Sequence, residues 1–375
     1  MLTPLRHAHA VLTALVAFSH AVHALPQLPS SSTTAVAPLP SGISSGNACN
    51  NSPTLCGRQY NSITHMGAHN SAFLRDSSTG NSIAGNQFKN ATIALDAGLR
   101  LLQAQVHKPN STLELCHTSC NLLDAGDLET WLKSVNDWVT RNPNDVVTLL
   151  LVNANKAPAS DFGAAFEASG LAKVAYKPQS NTLTSTWPTL QDMIRSNSRV
   201  VTFVTNMDFS ASTPYLLPEF DHVFETPFEV TALGGFNCTV DRPSKAKPPS
   251  TSLANGYMSL VNHFKYQNLI GTVQVPDADA IETVNSASTE QPGNLGKHLE
   301  QCKTEWAKQP NFVLVDFWDK GDPIAALDSM NGVTDAKGRT TTQSSGQSAG
   351  SNFAQERKLG TGALVAFVSA ALLLV

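Results

Sequence analysis

Short apolar runs alternate with amphipathic stretches along most of the chain. Several runs are rich in β-branched residues and almost continuously apolar, which is typical of parallel strands buried on both faces. Seven runs are predicted as strands: Ser62–Gly67, Leu99–His107, Asp145–Asn153, Arg199–Thr205, His222–Glu225, Tyr257–Asn262 and Asn311–Phe317.

Amphipathic helices are predicted between these strands. The clearest is Leu128–Arg141, with apolar residues at helical spacing, Asp127 placed to cap it and Asn142-Pro143 to end it. Two more are predicted over Asn86–Ala97 and across Leu295–Trp306. Seven or eight strands alternating with helices predict one (β/α)8-type TIM barrel, regular or incompletely closed, with disordered arms. A doubly wound open sheet is the alternative, although the chain has neither a G-x-G-x-x-G nor a P-loop motif.

The N-terminal end has the pattern of a targeting segment. Residues 1–24 combine Arg6, an apolar run and small residues before the expected cleavage point, which predicts a secretory signal peptide. Residues 25–48 are rich in Pro, Ser, Thr and Ala without periodicity, so we expect a linker. The folded domain is predicted over residues 49–332.

The C-terminal end resembles a processing signal as well. Residues 333–348 form a predicted Ser/Thr/Gln/Gly-rich stalk, and residues 349–375 end in an uncharged apolar tail. Small residues, a polar spacer and an apolar tail predict a GPI-anchor signal with attachment at Ser348. A tail anchor or a single spanning helix is the alternative, but the flanking Lys and Arg expected of a span are missing. The prediction is therefore a secreted protein on the plasma membrane or cell wall.

The charge balance excludes one class of partner. The 375 residues include 25 Lys and Arg and 29 Asp and Glu, for a net charge of −4 without a basic block. Nucleic-acid binding requires clustered positive charge, so it is not expected. With 41% hydrophobic residues the chain can bury a large core, and we expect a monomer.

Six cysteines in an exported chain are expected to pair. Sequence proximity favours Cys49–Cys56 and Cys116–Cys120, which leaves Cys238–Cys302, but six cysteines allow fifteen pairings. A metal site at Cys116 and Cys120 with His117 is the alternative for that pair. Four N-x-Ser/Thr sequons predict surface sites for glycosylation, at Asn50, Asn90, Asn110 and Asn237.

Polar residues collect at the predicted carboxyl ends of the strands, where barrel proteins carry their chemistry. Two histidines and an aspartate there can perform acid–base catalysis near neutral pH. For any single histidine, a hydrogen-bonded loop residue is the plainer interpretation. The candidate residues are His69, Asn70, Gln103, Gln105, His107, His117, Asn153, His263 and Asp316.

Several of these segments resemble the X domain of phosphatidylinositol-specific phospholipase C. Ile63–Ser71 (ITHMGAHNS) is similar to the first family motif, a strand ending in G-[TS]-H-[ND]-[ST]. Gly98–Gln105 (GLRLLQAQ) and His117 follow in the family's order. Asn144–Asn153 resembles the family's N-P-x-[DE]-V-V strand, and Phe312–Trp318 its last strand. The whole chain resembles secreted, GPI-anchored fungal PLC-like phosphodiesterases.

The resemblance implies roles for individual residues. His69 would be the general base on the attacking hydroxyl, Asp316 would pair with it, and His117 would be the general acid. The metal-free branch of the family has Arg where this chain has Gln105. The calcium branch has carboxylates at positions matching Gln103, Gln105 and Val152, and only Asn70 matches a calcium ligand.

These observations predict a cell-surface phosphoric diester hydrolase that acts on a phosphoinositide, a GPI glycan or a related lipid head group. Asn70, Gln103, Gln105, His107, Asn153 and His263 are predicted to bind the substrate. No metal or other cofactor is expected, because Gln and Asn make a poor calcium site, although weak calcium binding stays open. The alternative is a catalytically inactive barrel that binds a phosphate or a sugar at the surface.

Overall fold

Eight parallel strands form the centre of the molecule. The structure, a computed structural model, describes residues 48–269 and 273–340. Within them the sheet runs in the order β7-β6-β5-β2-β1-β12-β9-β8. These strands are β1 (His65–Ala68), β2 (Leu101–His107), β5 (Val147–Asn153), β6 (Val200–Val204), β7 (Leu216–Pro218), β8 (Val223–Glu225), β9 (Met258–Asn262) and β12 (Phe312–Val315).

Helices cover the outside of this sheet. Asp127 caps α2 by accepting a hydrogen bond from the backbone N–H of Thr130, as its position predicts. The described helices are α1 (Ala91–Ala97), α2 (Leu128–Arg141), α3 (Ala159–Ala168), α4 (Leu190–Arg195), α5 (Glu219–His222), α6 (Pro249–Ala254), α7 (Ile281–Val284), α8 (Leu295–Trp306) and α9 (Pro323–Asn331).

Alternate residues of each strand face two different cores. The outward residues, such as Val261 and Val313, pack with the helices in one apolar cluster. The inward residues, such as Leu101 and Leu260, form the second cluster, in the barrel interior. Gly67 of β1 belongs to this close packing, because a Cβ there would lie 2.5 Å from the side chain of Leu101.

The strand order is that of a (β/α)8 barrel opened at one seam. In the described residues β7 and β8 are the two ends of the sheet and do not pair with each other. The short helix α5 connects them, and its Glu219 is buried there. The chain is therefore an incompletely closed (β/α)8 TIM barrel, as the pattern of strands and helices predicted.

Two antiparallel additions follow barrel strands on the carboxyl side. β3 (Glu114–Cys116) pairs with the end of β2 and with β4 (Asp124–Asp127). β10 (Tyr266–Asn268) and β11 (Gln274–Pro276) form a hairpin after β9. These additions place His117 and Tyr266 beside the carboxyl ends of the barrel strands.

The structure corrects three element predictions. The strand Leu216–Pro218 was missed because only three residues pair there. The helix predicted over Asn86–Ala97 begins at Ala91, capped by Asn90, and Asn86 lies in a loop. The domain also extends past residue 332, because the backbone N–H of Thr340 donates to the carbonyl of Asp96.

Both predicted processing signals, residues 25–47 of the linker and Ser348 lie outside the described residues. No helix within residues 48–269 and 273–340 is both long enough and apolar enough to cross a bilayer.

The three predicted disulfides form: Cys49–Cys56, Cys116–Cys120 and Cys238–Cys302. The pairing of Cys116 with Cys120 rules out the metal alternative at this position in the oxidised chain.

The sequons differ in accessibility. Asn110 is exposed, and Asn90 and Asn237 are partly exposed. Asn50 is only 6% exposed, and its Oδ1 accepts a hydrogen bond from the backbone N–H of Val146. The surface prediction is wrong at Asn50, since this amide is part of the packed base of the barrel.

Candidate active site

A histidine–aspartate pair lies at the carboxyl ends of two adjacent strands. His69 directly follows β1 and Asp316 directly follows β12, and these strands pair in parallel register. The Nδ1 atom of His69 lies 2.8 Å from Oδ1 of Asp316, and the side chains are 7% and 2% exposed. The carboxylate therefore fixes the ring so that Nε2 of His69 is the nitrogen left for a substrate.

The loop before α1 holds this pair in place. The side-chain amide of Asn86 donates to Oδ1 of Asp316 at 2.9 Å, and the backbone carbonyl of Asn86 accepts from the backbone N–H of Phe317. The amide of Gln87 donates to the backbone carbonyls of His69 and Val315. The side chains of Asn86 and Gln87 thus link the ends of β1 and β12 by hydrogen bonds. This role explains why Asn86 and Gln87 lie in a loop and not in a helix.

Each member of the pair precedes a residue with left-handed backbone. Asn70 has a φ of 49° and Phe317 a φ of 42°. This conformation is uncommon for Asn and strained for Phe, and such strain collects at functional sites. Asn70 is fully buried, and within the described residues neither its Oδ1 nor its Nδ2 has a hydrogen-bond partner. Its amide is therefore available to a ligand beside His69.

His117 is the second histidine of this site. It follows β3, its ring contacts Phe73, and its Nδ1 is buried without a partner in the described residues. Burial, together with the nearby rings of His69 and His107, lowers the pKa of His117 to about 3. His117 is therefore neutral at pH 7 before any substrate binds.

The polar residues of β2 support the neighbouring loops. Oε1 of Gln103 accepts a hydrogen bond from the backbone N–H of Asn70 at 2.6 Å. Oε1 of Gln105 accepts one from the backbone N–H of Thr118 at 2.9 Å, directly beside His117. His107 is half-buried, and burial lowers its pKa. The two glutamines position the loops of the two histidines, so their oxygens are already engaged.

The resemblance to the PI-PLC X domain raises the question of calcium, and the oxygens near His69 do not form a suitable calcium site. The buried side-chain oxygens without a partner in the described part of this site are Oδ2 of Asp316, Oδ1 of Asn70 and Oδ1 of Asn86. Calcium takes six to eight oxygens, several of them from carboxylates. One carboxylate and two amides fall short of such a site.

The sequence analysis missed two aromatic residues, Phe264 and Tyr266, that follow β9 beside His69. The ring of Phe264 stacks on His69 with centroids 3.6 Å apart and an angle of 2° between the planes. Tyr266 packs edge-on against Phe264. Burial raises the pKa of Tyr266, and the nearby carboxylate of Asp316 adds to the effect. The alternation of inward positions after β9 was the signal that could have revealed Phe264.

The sequence analysis also missed an ion pair, Arg242 with Glu225, near the open seam of the barrel. Nε of Arg242 lies 2.8 Å from Oε2 of Glu225, to which Asn262 also donates. Burial opposes ionisation of Glu225, but Arg242 holds its pKa below the usual value. Burial and the neighbouring Glu225 raise the pKa of Glu219 well above its usual value, so Glu219 stays neutral. Glu219 lies among inward residues of the barrel such as Leu101 and Leu260, whereas the side chain of Arg242 is partly exposed.

Two predicted substrate-binding residues do not join the site. The side chain of Asn153 bonds both the N–H and the carbonyl of Ala157, which forms the turn after β5. The ring of His263 contacts His298 and the carbonyl of Val284. Both residues sit one position away from an inward residue of their strand, so strand alternation directs them outside the barrel.

Comparisons with known proteins give the family of the chain. Residues 55–331 match the PI-PLC X 1 family. A PI-PLC X domain-containing protein 1 of Arthroderma benhamiae is 37% identical over 287 residues, which cover 76% of this chain and 90% of that protein. An uncharacterized secreted protein of the same organism is 36% identical over 311 residues, 79% of this chain and 67% of that protein.

Among solved structures, the phosphatidylinositol-specific phospholipase C from Listeria monocytogenes aligns with a TM-score of 0.49 at 13% identity. That alignment covers 76% of this chain and 98% of the bacterial one. The match across residues 55–331 and the identity to the fungal relative establish the family. The chain belongs to the PI-PLC X domain family.

Proposed function

We propose that the protein is a secreted phosphoric diester hydrolase that cleaves its substrate by metal-free acid–base catalysis. The observation that carries the proposal is the 2.8 Å contact between Nδ1 of His69 and Asp316 at the carboxyl end of the barrel. A carboxylate in this position stabilises the imidazolium that forms when Nε2 takes a proton.

In the proposed reaction, Nε2 of His69 removes the proton of an attacking hydroxyl while its oxygen bonds to phosphorus. The bond from phosphorus to the leaving oxygen breaks, and that oxygen takes a proton from His117. In the ligand-free site the pKa of His117 is lowered to about 3, so its ring is neutral at pH 7 and lacks the second proton that a general acid would donate. A diester anion beside the ring favours the charged form and raises this pKa, which makes protonation of His117 part of substrate binding.

The proposed substrate class is a phosphoinositide, a GPI glycan or a related lipid head group. The family and the secreted relative support a phosphodiester substrate outside the cell. A GPI anchor at Ser348, part of this proposal, would hold the enzyme beside such lipids. The amide of buried Asn70, which has no partner in the described residues, is proposed to bind the phosphoryl group.

A binding protein without catalysis is the second candidate. This chain has Gln105, and so no cation, at the position of the family's Arg. The side-chain oxygens of Gln103 and Gln105 also already accept hydrogen bonds from backbone N–H groups. Both observations favour a binding protein. Without a positive group there, the transferring phosphoryl charge loses a source of transition-state stabilisation worth several kcal/mol.

The test is hydrolysis of phosphatidylinositol and of a soluble phosphodiester by the secreted chain, with calcium and with chelator. Variants His69→Ala and His117→Ala are compared with His222→Asn, whose ring bonds Asn181 away from the site. We expect chelator-insensitive turnover that falls at least about 10³-fold in the first two variants and persists in the third. Calcium-dependent turnover would contradict the metal-free mechanism. Ligand binding by folded protein without turnover would favour the binding protein.

A further inference from the structure

A disulfide closes the loop that carries His117. Cys116 is the last residue of β3, and Cys120 lies four positions further along, before β4. The loop of residues 116–120 therefore contains His117. The other two residues of the proposed acid–base machinery, His69 and Asp316, lie outside all three disulfide loops. The covalent link is thus specific to the histidine proposed as the general acid.

This disulfide contributes the least to global stability in terms of chain entropy. The entropy that a cross-link removes from the unfolded chain grows with the length of the loop that it closes. The sequence separation is four for Cys116–Cys120, compared with seven for Cys49–Cys56 and 64 for Cys238–Cys302. A local role in its own loop therefore explains the Cys116–Cys120 bond better than stabilisation of the whole domain.

The backbone inside the loop is strained. Thr118 has a φ of 62°, in the left-handed region that a β-branched residue rarely adopts. Thr118 is exposed, so packing of its own side chain does not hold this conformation. Such strain persists only where the surrounding structure fixes the backbone from several directions. Here the disulfide closes the loop around Thr118, and Oε1 of Gln105 accepts its backbone N–H at 2.9 Å.

The orientation of the His117 ring depends on this backbone. Nδ1 of His69 is held by Asp316 at 2.8 Å. Nδ1 of His117 is buried and has no hydrogen-bond partner within the described residues, and its ring only packs against Phe73. A histidine whose ring has no partner to orient it is positioned by the loop that carries it. The disulfide and Gln105 therefore do for His117 what Asp316 does for His69.

A reductant reaches this disulfide more easily than the other two. Cys120 is partly exposed, whereas Cys116 is fully buried. The four cysteines of the other disulfides are at most 2% exposed. We therefore expect Cys116–Cys120 to open first, by attack on the sulfur of Cys120, while the rest of the protein keeps its cross-links.

We propose that the Cys116–Cys120 disulfide positions His117 for proton donation, so that opening this bond lowers turnover in a protein that stays folded. The inference rests on the proposed function, in which His117 is the general acid. A dithiol reductant opens the bond when one of its thiolates attacks the sulfur of Cys120. Its second thiolate then closes the reductant into a disulfide, and the two protons that the reductant loses end on the sulfur atoms of Cys116 and Cys120.

The first test compares Cys116→Ser/Cys120→Ser with Cys49→Ser/Cys56→Ser, which removes another short disulfide at the base of the barrel. Hydrolysis of a soluble phosphodiester is measured with the full chain. We expect the first variant to lower kcat at least about 10-fold with KM within about twofold, because the acid is misplaced while the binding groups remain. The second variant should change kcat by less than about twofold. Equal losses, or a first variant that is unfolded by circular dichroism, would overturn the proposal.

A double-mutant cycle separates positioning from a general structural effect. In a His117→Ala background the disulfide has no acid to position, so Cys116→Ser/Cys120→Ser should lower the residual kcat by less than about twofold. The same fold loss in both backgrounds would show a structural role and overturn the proposal. In wild type treated with dithiothreitol without denaturant, turnover should fall as thiols appear at Cys116 and Cys120, and reoxidation should restore it.

Nuclear magnetic resonance of the His117 ring decides the inference even if the wild type shows no turnover. The Cε1–H resonance is assigned by its absence from His117→Gln. With the pKa of His117 lowered to about 3, this resonance should not shift between pH 8 and 5 in the disulfide-bonded protein. In Cys116→Ser/Cys120→Ser the released ring should titrate near the ordinary pKa of 6.5. A ring that still does not titrate would overturn the proposal. A released ring without loss of kcat would instead contradict the role of His117 as the acid.

Discussion

Two buried histidines of this barrel have almost the same surroundings but different partners. His69 follows β1 and is 6% exposed, and His263 follows β9 and is fully buried. Each ring stacks on a phenylalanine, at 3.6 Å between centroids for Phe264 and 4.2 Å for Phe236. Each also bonds through Nδ1. The partner of His69 is the carboxylate of Asp316, whereas that of His263 is another imidazole.

The difference shows that the partner, more than burial, sets the chemistry of a histidine. Asp316 fixes the tautomer of His69, stabilises a proton on it and leaves Nε2 for a substrate. For His263, Nε2 is already used by the carbonyl of Val284, and the neighbouring imidazole disfavours a proton. The first ring is suited to proton transfer, and the second is suited to a fixed structural contact.

Asp316→Asn tests the comparison with the largest expected effect. The amide keeps the shape of the side chain but removes the charge and favours the wrong tautomer of His69. We expect kcat for diester hydrolysis to fall by about 10⁴-fold, the loss known for such a change in a serine protease triad. Steady-state kinetics of the disulfide-bonded wild type and variant measure this change in kcat.

His298→Gln is the matched control for this prediction, because it changes the corresponding partner of His263. We expect it to change kcat by less than about 10-fold. Equal losses in the two variants would mean that the two histidines do not differ in function. Circular dichroism shows whether each variant is folded.

The second prediction concerns stability and pH. The pKa values of His263 and His298 are lowered in the folded protein to about 3 and about 4, from an ordinary 6.5. Below pH 6.5 the unfolded chain therefore binds protons that the folded chain does not. The contribution of these two histidines to the free energy of unfolding is complete above pH 6.5 and is lost as the pH falls below 6.5. One such imidazole should lower the free energy of unfolding by about 3 kcal/mol between pH 6.5 and pH 4.

Urea unfolding of the oxidised protein at several pH values measures this effect. The free energy of unfolding should decrease from pH 6.5 to 4, with a shallower decrease in His298→Gln. Gln301→Ala, an exposed change in the same helix as His298 that removes no titratable group, is the control. The same slope in wild type and His298→Gln would show that this pair does not titrate as inferred.

The sequence predicted those features that depend on local pattern. The helix Leu128–Arg141 has the predicted bounds, and the three disulfides pair as predicted from sequence proximity. His69 and Asp316 could be paired through the family resemblance, and the structure brings their side chains together. Strand β7 was missed, because three residues carry too little periodicity for a prediction.

The rest of the site depends on contacts between distant segments. Asn86 and Gln87 were assigned to a helix, yet they bond residues more than two hundred positions away. Asn153 and His263 were taken as substrate residues from their place at strand ends. Strand alternation, applied to Gln103 and Gln105 but not to these two, was the available signal for their outward orientation.

The last prediction asks whether stacking alone distinguishes the two rings. Phe264 lies parallel to His69, so Phe264→Leu should release rotation of the imidazole and lower kcat by about threefold to tenfold with little change in KM. Phe264→Tyr, which retains the ring, should restore most of kcat. Phe236→Leu removes the matching ring from His263 and should lower stability without this loss of kcat. A fall in kcat that Tyr does not rescue, or one shared by Phe236→Leu, would assign Phe264 to packing rather than to positioning His69.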